Sequence, residues 1–222
     1  MTKLTPEADR AFDNYIKNVE SGLDWQARVS LDTSGVKIVP GAAESMVVLE
    51  GAIIHDWRAA ALAPRAKIEK LLAVLQSYDD YPRLYAPQVT AAKVHSHDGN
   101  LWRIFLKLHK KKILTANLNT DYEVEYRPLG QSRWGVLSRS TRVTEIDDGR
   151  ELPLGQGHGF LWRLNAYWVL EQRAEGVYIE CRAISMSRDV PAALRWVIKP
   201  MLTSVPRESL QDTLEATVRA LQ

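Results

Sequence analysis
The chain predicts an α+β protein in which a run of antiparallel strands lies between an N-terminal helix and a helical C-terminus. Three observations carry that reading. Apolar residues recur at helical spacing near each end, as Phe12, Tyr15, Ile16, Val19 and Leu23 and again as Leu210, Leu214, Val218 and Leu221. Between them the pattern switches to alternation, clearest where Trp102, Ile104, Leu106 and Leu108 interleave with Arg103, Phe105, Lys107 and His109. The segments 160–171 and 177–187 then align as a hairpin whose register keeps one apolar face together.

In chain order, Thr5 is placed to cap a helix over 5–20, with Pro6 at its first position and Glu7 complementing its positive end. Residues 24–45 are mixed, with turns at Asp32-Thr33-Ser34-Gly35 and Pro40-Gly41. Residues 1–45 therefore read as a helix and lead-in packed on a main domain over 46–222. From Met46, the residues Val47, Leu49, Ile53, Trp57 and Ala59 share one parity of a long β-type stretch ending near Ala63. Pro64 opens a helix carrying Ile68, Leu71, Leu72 and Leu75, which ends around Asp79-Asp80. Leu84 and Tyr85 follow in a short helical turn bracketed by Tyr81-Pro82 and Ala86-Pro87.

Strands continue through Leu114, Ala116 and Leu118, then Tyr122, Val124 and Tyr126, then Trp134 to Ile146, with turns at Asp147-Asp148-Gly149 and Gly155-Gln156-Gly157. In the last hairpin Gln172 faces Val177, so Leu170 faces Ile179, Trp168 faces Cys181, Ala166 faces Ala183 and Trp162 faces Ser187. The opposite face pairs Glu171 with Tyr178, Val169 with Glu180 and Tyr167 with Arg182, a mixture suited to a wetter surface. Pro191 opens the C-terminal helix, with Leu194, Val197, Ile198 and Met201 on one side. Pro200 should bend or break that helix and Pro206 restart it.

The composition narrows the class. With 222 residues, 45% hydrophobic and 25% charged, the chain is globular rather than disordered and needs no disulfide or metal to hold a core. Cys181 is the single cysteine, which excludes a disulfide framework and a Cys-rich zinc site, and no cofactor is expected. No run of about 18 apolar residues spans a membrane. Met-Thr-Lys-Leu-Thr-Pro-Glu lacks the apolar centre of a secretory signal, so the expectation is a soluble protein, cytoplasmic or with its signal removed. Seven Trp and eight Tyr against three Phe favour walls that are apolar yet carry polar tips.

The stretch from Pro64 through Ile68, Leu71, Leu72, Leu75 and Asp79-Asp80 to Tyr81-Pro82, with Tyr85-Ala86-Pro87-Gln88-Val89 as lead-in to the next strand, resembles the first helix and exit loop of the START-like (SRPBCC) superfamily. That superfamily includes polyketide cyclases, coenzyme Q-binding proteins and lipid-transfer domains. The helix from Pro206 is similar to the long helix that such proteins lay across their sheet. The resemblance covers roughly residues 46–222. It implies a helix-grip fold, a curved antiparallel β-sheet wrapped around a long C-terminal helix, with the first 45 residues as a helical extension. It also implies an elongated hollow between sheet and helix, where the superfamily binds lipids, sterols, quinones or polyketides.

Trp102, Leu118, Tyr126, Trp162, Leu164 and Trp168 sit on apolar strand faces and are the candidate ligand-binding residues; as single residues each also reads as core. Arg163, Asn165, Tyr167, Glu180 and Arg182 cluster on the other face of the hairpin, either as a carboxylate-binding constellation or as a solvated cross-strand ion network. The network is the stronger reading. His95 and His97 lack further metal ligands at known spacing and read as exposed loop residues beside Asp98-Gly99-Asn100. His158, among glycines that do not form a phosphate-binding fingerprint, reads as a turn residue. Cys181 should be a buried, inert thiol, and no catalytic residue is assigned. Lys107, Lys110, Lys111 and Lys112 form a local basic patch that is too small, on a chain of net charge +2, for nucleic acid. A transient contact with anionic lipid is the weaker reading of that patch.

Three functions follow in order. The first is binding or transport of an apolar small molecule (a lipid, quinone or polyketide-like aromatic), with Pro191–Pro206 as a gate. The second is a cyclase or aromatase in which Arg163, Tyr167 or His158 points into the same cavity as acid or base. The third is an interaction module docking through the N-terminal helix or the Leu194, Val197, Ile198 and Met201 stripe. Ligand identity and oligomeric state are not encoded in any of these patterns.

Overall fold
The computed structural model describes residues 1–31, 35–111, 115–189 and 192–222, with side chains of 192–203 excepted. The expected turn residues Asp32-Thr33-Ser34, the strand residue Leu114, Lys112 of the basic patch, Pro191, and the Leu194, Val197, Ile198 and Met201 stripe therefore lie outside the described residues. So does most of the Pro191–Pro206 gate.

The elements run in the order β1 (Thr2–Lys3), α1 (Pro6–Ser21), β2 (Lys37–Pro40), β3 (Met46–Leu49), β4 (Ala52–Pro64), α2 (Ile68–Gln76), a 3₁₀ turn at Tyr78–Asp80 and α3 (Tyr81–Leu84). There follow β5 (Val89–Asp98), β6 (Leu101–Lys111), β7 (Thr115–Pro128), β8 (Arg133–Asp147), β9 (Arg150–Glu151), β10 (Gln156–Gly157), β11 (Arg163–Arg173), β12 (Gly176–Arg188) and α4 (Ala192–Arg219). Among the described residues ten strands form one antiparallel sheet in the order β2-β4-β12-β11-β8-β7-β6-β5, with β3 also on β4 and β9 on β8. Helix α4 packs along one face, where Leu210 and Leu214 meet Ala59, Ala61 and Cys181. The fold is thus α+β, with a large antiparallel sheet, a long C-terminal helix and a short N-terminal helix.

Most elements form where the patterns place them. Thr5 caps α1, its hydroxyl accepting the Ala8 N–H at 3.2 Å. The β11–β12 register pairs Gln172 with Val177, Trp168 with Cys181 and Ala166 with Ala183, as the alternation predicts. Three elements differ. The stretch from Met46 is a hairpin, because Gly51 at φ 76° turns the chain between β3 and β4. Val47 and Leu49 consequently pack against Ile54, on the face opposite Ile53 and Ala59. Pro64 ends β4 instead of opening a helix; α2 begins at Ile68, whose N–H is accepted by the Gln172 side chain at 2.9 Å. Helix α4 runs through Pro200 and Pro206 without a break. Each proline removes one backbone N–H, a local loss that does not end a helix carried by its packing against the sheet.

The largest departure lies on the outer face of the last hairpin. The sequence reading makes it solvated, yet Tyr167, Val169, Tyr178 and Glu180 are buried. The cover is the N-terminal segment. Phe12 and Ile16 of α1 pack on Leu137, Tyr167 and Met186. Arg163 donates to Asp9 at 2.6 Å and Asp13 at 2.8 Å, and the Tyr167 hydroxyl donates to Glu20 at 2.8 Å. Further along, the Arg28 and Val29 N–H groups both donate to one oxygen of Glu180, at 2.7 and 2.9 Å, while Arg58 holds the other at 2.5 Å. Arg182 grips Asp56 through two nitrogens at 2.9 and 2.6 Å, and Tyr15 of α1 donates to the same carboxylate at 2.7 Å. The predicted solvated ion network is therefore the seat of the N-terminal cover.

Trp25 shows how tightly that cover is seated. It holds a left-handed backbone at φ 56°, costly for a bulky residue, by about 1–3 kcal/mol. Its carbonyl accepts from Arg133, Arg127 lies 5.7 Å from its ring centroid, and its ring occupies the space above Gly135 where a Cβ would stand. Gly135→Ala should displace this ring and destabilise the chain by about 1–3 kcal/mol. Glu180→Ala leaves Arg58 and two N–H groups unpaired beneath the cover and should cost about 3–5 kcal/mol. Chemical denaturation of the two variants checks both values, with the Trp25 emission shifting in the first.

Candidate functional site
The inner face of the sheet does not pack fully against α4. A hollow of about 440 Å³ remains, walled by β4, β6, β7, β8, β11 and β12 and by Val205, Pro206, Ser209, Leu210 and Thr213 of α4. Alternation supplies the wall: Leu164, Ala166 and Trp168 of β11 face Ser185, Ala183 and Cys181 of β12. Small residues at Ala166 and Ala183 leave space that larger side chains would fill.

One end of the hollow is closed by tyrosines. The Leu75 carbonyl, left without an intrahelical partner at the end of α2, accepts from Tyr81 at 2.6 Å and from Tyr126 at 2.9 Å. The Tyr126 and Tyr78 hydroxyls lie 2.8 Å apart, and Tyr85 bonds Thr217 of α4 at 3.0 Å. Burial pushes the Tyr85 and Tyr122 phenols up to about 12 and raises Tyr78, Tyr81 and Tyr126 as well. Burial also raises the Cys181 thiol, which stays protonated.

The other end is bordered by Gly159, Phe160 and Leu161, by Arg188 at the end of β12, and by His109 and Lys110 at the end of β6. The loop carrying Phe160 is held by Glu145, only 3% exposed, whose oxygens accept the His158 N–H at 2.6 Å and the Phe160 N–H at 2.8 Å. Lys110 and Gln88 both bond Asp212 of α4, at 3.1 and 2.5 Å, tying the helix to the far sheet edge. His55 of β4 lies within this end, its Nε2 3.2 Å from the Ser187 hydroxyl.

Of the six candidate ligand-binding residues, Leu118, Tyr126, Leu164 and Trp168 line the hollow. Trp102 lies behind that wall, 5.4 Å from the Tyr78 ring and stacked on His97 at 4.4 Å. Trp162 packs under α1 with Phe12 and Met186 on the opposite face, because β11 begins only at Arg163 and the alternation does not extend to the bend before it. The acid–base candidates of the cyclase reading are engaged elsewhere: Arg163 and Tyr167 with α1, and His158 with Glu145 at 3.3 Å and stacked on Phe160. His95 bonds Asp121 at 2.9 Å on exposed β5, so it belongs to a strand rather than a loop. Among the described residues no group of three or more His, Cys, Asp or Glu could hold a metal, and no helix is long and apolar enough to cross a membrane.

The sequence reading missed His55, Ser185, Ser187 and four of the tyrosines. His55 shares the parity of Ile53, Trp57 and Ala59, so its inward placement was legible in the alternation; that a hollow faces it was not.

No family model matches the sequence, and no curated protein does. Solved structures do. Human STARD10 superimposes with a TM-score of 0.55 at 11% identity, covering 99% of this chain and 82% of that one. TTHA0849 from Thermus thermophilus gives 0.54 at 13% identity over 74% of this chain and 94% of that one. The chain has the START-like helix-grip fold. The di-domain ARO/CYC StfQ from the steffimycin biosynthetic pathway also superimposes, with a TM-score of 0.52 at 12% identity over 76% of this chain and 51% of that two-domain one. At these identities the likeness is one of fold. Within this helix-grip chain, the distinguishing chemistry is a wall of tyrosines, small residues and one imidazole.

Desolvation drives the His55 imidazole down from 6.5 to about 4. Above pH 6.5 it is neutral in folded and unfolded chains alike. Between 6.5 and about 4 the unfolded chain takes up a proton that the folded chain refuses, so stability falls as pH falls. His55→Phe should flatten that acid limb in urea titrations run across the window, and NMR should show the His55 ring neutral down to about pH 4.

Proposed function
We propose that this chain binds, and in doing so can carry, an apolar small molecule such as a lipid, quinone or polyketide-like aromatic inside the hollow, with residues 1–45 as a lead-in to a ligand-binding domain over 46–222. The observation that carries the reading is the hollow itself. Its volume of about 440 Å³ falls in the range of about 300–1,000 Å³ typical of small-molecule sites. Its wall combines aliphatic side chains with tyrosine hydroxyls that largely bond one another or the backbone. A polar solute gains little there, and an apolar one leaves water at about 25 cal/mol per Å² buried.

The cyclase or aromatase reading uses the same cavity and is supported by the fold shared with StfQ. It loses support because Arg163, Tyr167 and His158 are all held outside the hollow. The interaction-module reading loses its first surface, since the α1 stripe of Phe12 and Ile16 is buried on the sheet. Lys110 of the basic patch is paired with Asp212, which weakens the case for contact with anionic lipid.

Native mass spectrometry followed by organic extraction should release a stoichiometric apolar molecule, or the purified chain should take up a neutral apolar dye with quenching of Trp168. Ala166→Trp places an indole in the hollow at a wall position with free space before it. It should weaken uptake about tenfold or more while the circular dichroism spectrum stays that of the parent. Unchanged uptake in a folded Ala166→Trp chain would put the ligand elsewhere.

A further inference from the structure
His55 and its neighbours interrupt the apolar wall at one level. The register sets Ser185 of β12 opposite His55 of β4 and Leu164 of β11 opposite Ser185, with Ser187 one inward position further along β12. All four residues line the hollow. One level deeper the same rows read Trp57, Ala183 and Ala166, then Ala59, Cys181 and Trp168. On β4 and β12 the polar groups are thus gathered toward one end of the hollow, while Ser138 of β8 adds a hydroxyl one level deeper, beside Ala166. Their bonding is incomplete: His55 is 2% exposed with its Nδ1 unpartnered. Buried polar groups normally have partners, and a group left without one costs stability that apolar residues of the same shape would not.

We propose that His55, with Ser185 and Ser187, determines specificity in the hollow by docking the hydroxyl or carbonyl of an otherwise apolar, uncharged ligand. The inference rests on the hollow being the ligand site and adds the class of ligand. With Nε2 on the Ser187 hydroxyl, the unpartnered Nδ1 of the neutral imidazole donates in one tautomer and accepts in the other, so it matches either group. Among the described residues no Asp or Glu lines the hollow, which leaves a cationic ligand without a counter-charge. An anionic ligand would have to stay with Arg188 at the end of β12, since Lys110 already serves Asp212. The body of the ligand then lies toward Trp168 and the tyrosine-closed end.

Equilibrium dialysis of the full chain at pH 7 with naphthalene, 2-naphthol and 2-naphthoate tests this, since the three share one shape and differ in the polar group alone. The expected order has 2-naphthol tightest, by about five- to tenfold over naphthalene. His55→Phe should bring 2-naphthol to the affinity of naphthalene. Ser185→Ala should reduce the preference in part, and it serves as the second variant where His55→Phe does not fold. Equal binding of naphthol and naphthalene by the parent chain overturns the proposal, as does a preference untouched in folded variants. Tightest binding of 2-naphthoate, abolished in Arg188→Ala, overturns it in favour of an anionic ligand held at the rim. Uptake of N-phenyl-1-naphthylamine without binding of any of the three overturns the anchor alone. Failure to take up the dye or any of the three removes the hollow reading, and the anchor falls with it.

Discussion

Strands β4, β11 and β12 are covered on both faces, and the outer cover is tied down by two carboxylates that water cannot reach. Glu180 receives two consecutive backbone N–H groups of the N-terminal segment and the Arg58 guanidinium; Asp56 receives Arg182 and the Tyr15 hydroxyl. A charge so deeply buried is tolerable only when fully paired, so each carboxylate dictates what lies over it. The central strands can then hold their register from outside. That leaves the inner face free to pack imperfectly against α4 without loss of the sheet.

The hollow is a consequence of that division of labour. Where α4 meets the sheet closely, Leu210 and Leu214 seal against Ala59 and Ala61, and small residues on the strands allow the approach. Toward β6, β7 and β8 the hollow separates helix from sheet, and Tyr81 of α3 and Tyr126 of β7 close the far end through bonds to the Leu75 carbonyl near the end of α2. The tyrosines therefore do two jobs at once. They satisfy a helix end that would otherwise be orphaned inside the molecule, and they present ring faces to the cavity. Their hydroxyls stay protonated because burial disfavours the phenolate, so that end of the wall carries no charge.

The sheet was legible from the sequence because period-2 alternation directly reports which side chains share a face. The β11–β12 hairpin is the best case: one turn sets the register, and every pair from Gln172–Val177 back to Ala166–Ala183 follows from it. Alternation failed where the chain turned without an apolar interruption, as at Gly51, and where a strand ended before its pattern did, as at Trp162. It also misjudged the outer face of the hairpin, since Tyr167, Glu180 and Arg182 are chemically suited to water as well as to a buried ion-paired layer.

By itself, then, the sequence determined the class of fold, the register of the hairpin, the N-cap of α1 and the inward parity of Trp168 and Leu164, because these depend on residues close together in the chain. Tertiary structure decided what each face meets. Whether Glu180 is solvated or buried depends on residues about 150 positions away. Whether an inward residue touches helix or hollow depends on how α4 crosses a sheet whose curvature no local pattern records. Burial and cavity are properties of distances between elements, and those distances are set only when the N-terminal cover, the sheet and α4 have packed together.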